Sequence, residues 1–307
     1  MTNTIRQHMT PKEIGLLLLI ALLWGGAFFF VEILVESLRP LTIVTARVGL
    51  AASLMWLLIL IGKVQGPKGW AQWRAFLVIG ILSSALPFCL ITWAQTRIDS
   101  GIASILNATA PLFVVLIAGA TLSDERLTTN KLIGVITGIA GVSVLIGPEA
   151  LTDLGGSALG QLAVIGAALS YGSSAVYSRR FAKMSISPMT VVTGQLTMAT
   201  VLLLPLVIVF EGGDLPASLP LSAIASIVCL AVFSTFLANV LYFRLLETAG
   251  ATNSALVGFL MPVTATALGI VFLNETLSVT QVAGAVLIAI GLLVMDGRIF
   301  GKAADRS

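Results

Sequence analysis

The sequence predicts an all-α polytopic membrane protein: ten transmembrane helices forming two inverted five-helix repeats, with both termini cytoplasmic. Three observations carry this expectation. First, the chain is apolar throughout. Of its 307 residues 57% are hydrophobic and only 10% charged, with a mean hydropathy of +1.04. A soluble domain carries about 25% charged residues and needs far more polar surface to face water. Second, the apolar residues fall into ten runs, each close to the roughly 20 residues that cross a hydrocarbon core of about 30 Å. Third, the second half of the chain repeats the first. Strands of a membrane barrel are excluded, because they would alternate in polarity over about ten residues.

In chain order the runs are Ile14–Val35, Leu41–Ile61, Trp73–Trp93, Ile102–Leu122, Leu132–Gly147, Leu159–Tyr177, Met189–Phe210, Leu221–Leu241, Thr252–Phe272 and Val279–Met295. Between them stand RPLT, GKVQGPKG, QTRIDSG, SDERLTTNK and comparable breaks, rich in the Gly, Pro, Asp, Asn and Ser that end helices. The first run follows a short basic tail, as a secretory leader would, but it lacks a small-residue cleavage site and is expected to be retained. The expected organisation is a cytoplasmic tail (1–13), a first repeat (14–147), a periplasmic linker (148–158), a second repeat (159–297) and a cytoplasmic tail (298–307).

The basic residues set the orientation. With both ends inside, only Arg39 and Arg97 of the 17 Lys and Arg fall in outside loops, and Arg47 falls within the second span. Such an excess of Lys and Arg marks the cytoplasmic side. It also accounts for the net charge of +3 without a nucleic-acid partner. Cys89 and Cys229 both lie in apolar runs and read as small buried hydrophobes. The one histidine, His8, sits in the tail, and no His/Cys/Asp/Glu cluster has metal-ligand spacing. No cofactor is expected.

The repeat is read without gaps over Asp124–Gly147 (DERLTTNKLIGVITGIAGVSVLIG) and Asn274–Gly297 (NETLSVTQVAGAVLIAIGLLVMDG), which place Glu125 on Glu275, Gly134 on Gly284 and Gly141 on Gly291. Pro111 pairs with Pro262. LLWGGAF (Leu22–Phe28) pairs with LSYGSSA (Leu169–Ala175), and LRPLTIVTARVG pairs with ISPMTVVTGQLT. The offset between matched positions stays between 147 and 151 residues. Five spans per half is an odd number, so the second half enters the membrane from the opposite face. Inverted halves let one conformation open inward and its mirror open outward, the architecture of alternating access.

WGGAFFFVEI (Trp24–Ile33), Thr45-Ala46-Arg47, the stretch ITWAQTRIDSGIASILNATAPLFVVLIAGATLSDERLTTNKLIGVITGIAGVSVL and its second copy ending NETLSVTQVAGAVLIAIGLLV resemble the paired EamA domains of the drug/metabolite transporter superfamily. The resemblance spans Ile14–Val294. It implies a ten-helix fold, a central cavity lined mainly by helices one, three, four, six, eight and nine, and export of amino acids or related metabolites.

Polar and aromatic groups inside the spans are the candidates for transport, since hydrocarbon offers them no hydrogen-bond partner. Trp24 lies ten residues into the first run, about 15 Å deep, and its counterpart Tyr171 lies at similar depth. The pair either walls a central pocket or packs the core. Asn107 stands four residues before Pro111, on the same helix face, and Pro111 has no N–H for the Asn107 carbonyl. The two either line a cavity or fix a kink. In the second half the polar groups move to Asn253, Ser254 and Thr264 around Pro262. Asn239 and Tyr242 share a face of the eighth run. Trp93, with Thr92 and Gln95, lies nearer the outer surface, where a vestibule is the other placement.

Glu32 and Arg47 are the charges plainly inside a span. A salt bridge between them is expected, structural in role or coupled to substrate or proton. Arg47 pairs in the repeat with uncharged Gln195. Glu125 and Glu275 begin matched helices and are expected to cap the N-terminus of the helix that follows or to gate the cavity. Gly134, Gly138, Gly141, Gly284 and Gly291 form stripes for close helix contact, in a scaffold or a homodimer surface.

The leading function is a secondary transporter that exports small polar or zwitterionic metabolites, amino acids first, with a proton as candidate coupling ion. The alternatives are a nucleotide-sugar, sugar-phosphate or drug-like solute carrier, or a non-transporting membrane scaffold. A phosphorylated ligand would want several basic residues. No G-x-x-x-x-G-K-S/T motif is present for direct ATP use. An enzyme is not expected, because the spans hold no histidine and no pair of carboxylates on one helix face.

Overall fold

The computed structural model describes residues 9–122, 125, 128–147, 156–213 and 218–296. Most of both expected tails and most of the expected 148–158 linker lie outside them. The described residues are helical, with no strand among them. We number ten helical segments: α1 Pro11–Val35, α2 Pro40–Leu60, α3 Gly69–Ala94, α4 Ser100–Thr121, α5 Thr129–Ile146, α6 Gly156–Lys183, α7 Pro188–Glu211, α8 Leu221–Gly250, α9 Val257–Leu273 and α10 Val279–Asp296. The first eight are long and apolar enough to cross a membrane; α9 and α10 are shorter apolar helices.

Local sequence sets where the helices start. Thr10-Pro11-Lys12-Glu13 opens α1 with a proline in the first turn and a capping box: Thr10 N–H donates to Glu13 Oε2 at 2.7 Å, and Glu13 N–H to Thr10 Oγ1 at 3.3 Å. Ser187-Pro188 opens α7 with a first-turn proline and a simple N-cap, Ser187 Oγ accepting from Thr190 N–H. α6 runs past the expected Tyr177 to Lys183, because Arg179, Arg180 and Lys183 are good helix formers that favour a helix C-terminus.

Corresponding helices of the two halves meet head to tail. Leu41 and Thr42 at the start of α2 lie against Glu211 at the end of α7, whereas Gln65 beyond the end of α2 bonds Thr190 near the start of α7. In α5 and α10, Gly134 faces Gly291 and Met295, while Leu145 faces Gly284. Both pairs are antiparallel, so the halves have opposite sense. The remaining packing obeys the same exchange: α1 lies on α8 and α9, and α6 on α3 and α4.

Two close approaches explain glycines of the repeat. The α5–α10 stripe is used within this chain: a Cβ on Gly291 would fall 2.6 Å from the Gly134 carbonyl oxygen. The glycines after the paired aromatics bring α1 and α6 onto the broken helices. A Cβ on Gly25 would lie 2.8 Å from the Met261 carbonyl oxygen, and one on Gly172 2.9 Å from the Phe113 carbonyl carbon.

Four helices depart from regular α geometry in matched pairs. α3 contains a π-helical turn at Ile81–Ala85 and α8 one at Val232–Leu237. Such turns leave a carbonyl without its usual partner, and hydroxyls take it up: Ser170 Oγ donates to Leu82 O (2.7 Å) and Thr235 Oγ1 to Leu230 O (2.8 Å). α4 breaks after Asn107, and the run 251–254 is separated from α9 by a turn at 255–256. Bonds of i→i−3 type tighten both breaks, from Thr109 N to Leu106 O and from Gly258 N to Ala255 O. Pro111 stands just past the first break, whereas Pro262 stands inside α9. The prolines deprive Asn107 and Gly258 of the i+4 donor. Large apolar side chains such as Leu57, Ile136, Val201, Phe210 and Phe272 point outward from the bundle, as lipid-facing residues do.

Candidate functional site

A cavity of about 900 Å³ lies between the two halves, lined from α1, α2, α3, α4, α6, α7, α8 and α9. It sits where the π-turns and helix breaks face one another, because these are the positions at which regular packing is interrupted. Its walls are mostly apolar.

Of the residues singled out from sequence, Trp24, Arg47, Asn107 and Pro111 line it from one half, and Tyr171, Asn239 and Tyr242 from the other. The Trp24 ring packs on Tyr242 across the halves, with centroids 4.9 Å apart, while Tyr171 faces the cavity from α6. Asn239 Nδ2 donates to Thr235 O at 2.6 Å, one turn back in α8.

Trp93 and Asn253 are not among the residues that line this cavity. The face that α3 turns inward is Ser84, Phe88, Ile91 and Gln95. Trp93 is about 200° around the helix from Ile91, and its ring carries the Arg97 guanidinium at 3.8 Å. On the 251–254 run Ser254 is the lining residue, and Asn253 Nδ2 turns back to Ala249 O. Pro262 also lies off the lining.

The expected Glu32–Arg47 salt bridge does not form. Gln95 Nε2 donates to Glu32 Oε2 (2.9 Å) and to Phe28 O (2.8 Å). Arg47 instead donates from Nε to Thr235 Oγ1 at 2.8 Å, and its guanidinium carbon stands 3.8 Å from the Phe88 ring centroid. Arg47 is seven residues, about two turns, into its helix. The π-turn of α8 reaches it there, and the C-terminal end of α1 does not.

The paired glutamates differ. Glu275 caps a helix, but α4 rather than the α10 that follows it. Its Oε1 accepts from Ser100 N–H (2.9 Å) and Ser100 Oγ (2.6 Å), and its Oε2 from Gly101 N–H (3.0 Å). Glu125 bonds Lys131 Nζ at 3.1 Å and Arg179 Nη2 at 2.6 Å instead of a helix end. The hydrogen bond from Lys131, and then its charge, hold the Glu125 carboxyl below the usual carboxylate range. Asp99, before Ser100, is pushed up by burial and by the Glu275 carboxylate.

These contacts make the ends of the cavity unlike. Towards the Glu275 end the lining residues Val31, Ile91 and Gln95 are buried. Towards the other end Ser178, Ala182 and Pro188 line it and are exposed. The cavity is thus closed where α4 and Glu275 meet and open beside the α6–α7 connection.

Several lining residues carry no signal in sequence. Ser84 and Ser234 belong to short hydroxyl pairs, Ser83-Ser84 and Ser234-Thr235, inside apolar runs, and the π-turns that aim them inward have no pattern of their own. Phe88 reads as ordinary core. Equal offsets between Ser84 and Thr235 and between the prolines were the one clue available.

The EamA-like transporter family matches the chain twice, over residues 11–147 and 158–295. An uncharacterized transporter of Archaeoglobus fulgidus is 28% identical over 277 residues, covering 89% of this chain and 94% of that protein. A probable amino-acid metabolite efflux pump of Salmonella typhimurium is 29% identical over 313 residues, covering 97% and 98%. A crystal structure at 20% identity superposes with a TM-score of 0.64 over 92% of this chain and 96% of the other, which shows a shared fold. With both halves matched by one family, this multi-pass membrane protein belongs to the EamA-like transporters.

Proposed function

We propose that the chain is a secondary transporter of the bacterial inner membrane, with ten spans and both termini cytoplasmic, that exports amino acids or related small metabolites by alternating access. One observation carries this reading: a cavity between inverted halves, closed at one end and open at the other. Exchanging the shapes of the halves moves the opening to the opposite face. With the basic loops inside, the observed opening faces the cytoplasm, as it must when an exporter loads. The substrate class is supported by the relative named an amino-acid metabolite efflux pump and by the lining, which mixes aromatic rings with amide groups. A sugar-phosphate or nucleotide-sugar ligand is disfavoured by a lining in which, among the described residues, Arg47 is the single cation.

Trp24, Asn107, Tyr171, Asn239 and Tyr242 are the proposed contacts. Counterflow of radiolabelled amino acids into proteoliposomes tests the function. Saturable exchange supports it, and no exchange of any amino acid or related acid by folded protein overturns it. Normal flux in each of Trp24→Ala, Asn107→Ala and Tyr171→Ala would remove these residues from the substrate site.

A further inference from the structure

We propose that Arg47 anchors a substrate carboxylate, so that the cavity selects organic monocarboxylates over amines of the same shape. The inference rests on the reading of the cavity as a substrate site. Arg47 is 8% exposed and lines the cavity. Among the described residues its one hydrogen bond is from Nε to Thr235 Oγ1, and no carboxylate pairs with it. The ring of Phe88 covers one face of the guanidinium. A guanidinium held at Nε and stacked on one face keeps its Nη edge for a planar, bidentate acceptor, the geometry of a carboxylate.

The charge balance points the same way. Among the described residues no Asp, Glu or Lys lines the cavity, and Arg47 is a buried cation without a counter-ion among them, which is costly until an anion arrives. A monoanion brings the site to neutrality. A zwitterion leaves it positive, and an amine adds a second positive charge.

A second observation marks the surroundings as built for a polar ligand. Ser84 Oγ, Gln95 Oε1, Asn107 Oδ1 and Ser234 Oγ are buried, line the cavity and have no hydrogen-bond partner. Orphaned buried polar atoms are rare where no ligand or water is to be met. Ser234 adjoins the Thr235 that holds Arg47, and Ser84 is on the facing π-turn. These hydroxyls supply further donors to a carboxylate. The amide oxygens of Gln95 and Asn107 accept only, and suit an N–H or O–H elsewhere on the ligand.

The test uses one apolar body in three charge states: 3-phenylpropionate, phenylalanine and phenethylamine. Binding is measured by equilibrium dialysis to the full chain in nanodiscs at pH 7, and flux with the same compounds in proteoliposomes. The acid is expected to bind at least about tenfold tighter than the amine, a difference of about 1.4 kcal/mol, with the zwitterion between. Arg47→Gln should bring that ratio close to one, and Arg47→Lys should keep part of it. Ser84→Ala with Ser234→Ala should weaken the acid and leave the amine unchanged. The wild-type ratio decides even where a variant does not fold. An amine that binds as tightly as the acid, an Arg47→Gln protein that keeps the preference, or no binding of any of the three overturns the anchor. Flux without charge preference would leave transport standing and remove the anchor. Selective binding without flux would do the reverse.

Discussion

Glu275 offers the sharpest test of how the cavity opens. Its carboxylate accepts three hydrogen bonds, at 2.9, 2.6 and 3.0 Å, from Ser100 and Gly101 at the start of α4. Both residues are buried, so water does not replace the bonds while this end is shut. Hydrogen bonds to a charged acceptor contribute about 1.5–3 kcal/mol each, and the α4 dipole adds up to about 1 kcal/mol. Opening returns part of this through hydration of the separated groups. A net bias of about 3 kcal/mol towards the closed end remains, about 10²-fold in population. Glu275→Ala removes it. In a Cys89→Ser, Cys229→Ser background, a cysteine at Ser84 reports the cavity. A membrane-impermeant maleimide applied from the Glu275 face should label that cysteine about 10²-fold faster in Glu275→Ala, and by an intermediate factor in Glu275→Gln. An unchanged labelling rate in a variant of normal thermal stability would refute the reasoning and leave Glu275 a structural cap.

The remaining predictions follow from the same exchange of halves and from the packing that supports it. By symmetry with Glu275, Glu125 should leave Lys131 and Arg179 and cap the run 251–254 when the opposite end closes. Glu125→Ala should therefore hold the protein in the observed conformation, and slowed labelling of the Ser84 cysteine from the Glu275 face is the readout. Asp99→Asn should stabilise the protein slightly at pH 7, by less than about 1 kcal/mol after solvent screening. The raised Asp99 pKa means that the ionised form is disfavoured in the fold, so the penalty is full above the folded pKa and vanishes below the unfolded one. The advantage of the Asp99→Asn variant should accordingly shrink as pH falls towards about 4, as followed by thermal melts across that range. Gly291→Leu should cost about 3 kcal/mol or more in thermal unfolding, because its Cβ meets the Gly134 backbone. Gly15→Ala, with nothing within 4 Å, should be neutral.

The sequence by itself determined the helical class and the twofold repeat. Both are properties of composition and offset: apolar runs of membrane length, and Gly, Pro and Glu recurring at one spacing. It also named many of the groups that line the cavity, Trp24, Arg47, Asn107, Tyr171, Asn239 and Tyr242 among them, since a polar or aromatic residue in an apolar run needs an internal partner. Tertiary structure decided the contacts between halves. Which donor reaches Glu32, whether Arg47 finds Thr235 or Glu32, and which helix end Glu275 caps all depend on residues up to 188 positions apart. The inward aim of Ser84 and Ser234 depends on π-turns, and a π-turn adds only one residue per turn, too little to disturb the apolar pattern. The exclusion of Trp93 follows from helix rotation, which a helix apolar on every side does not reveal.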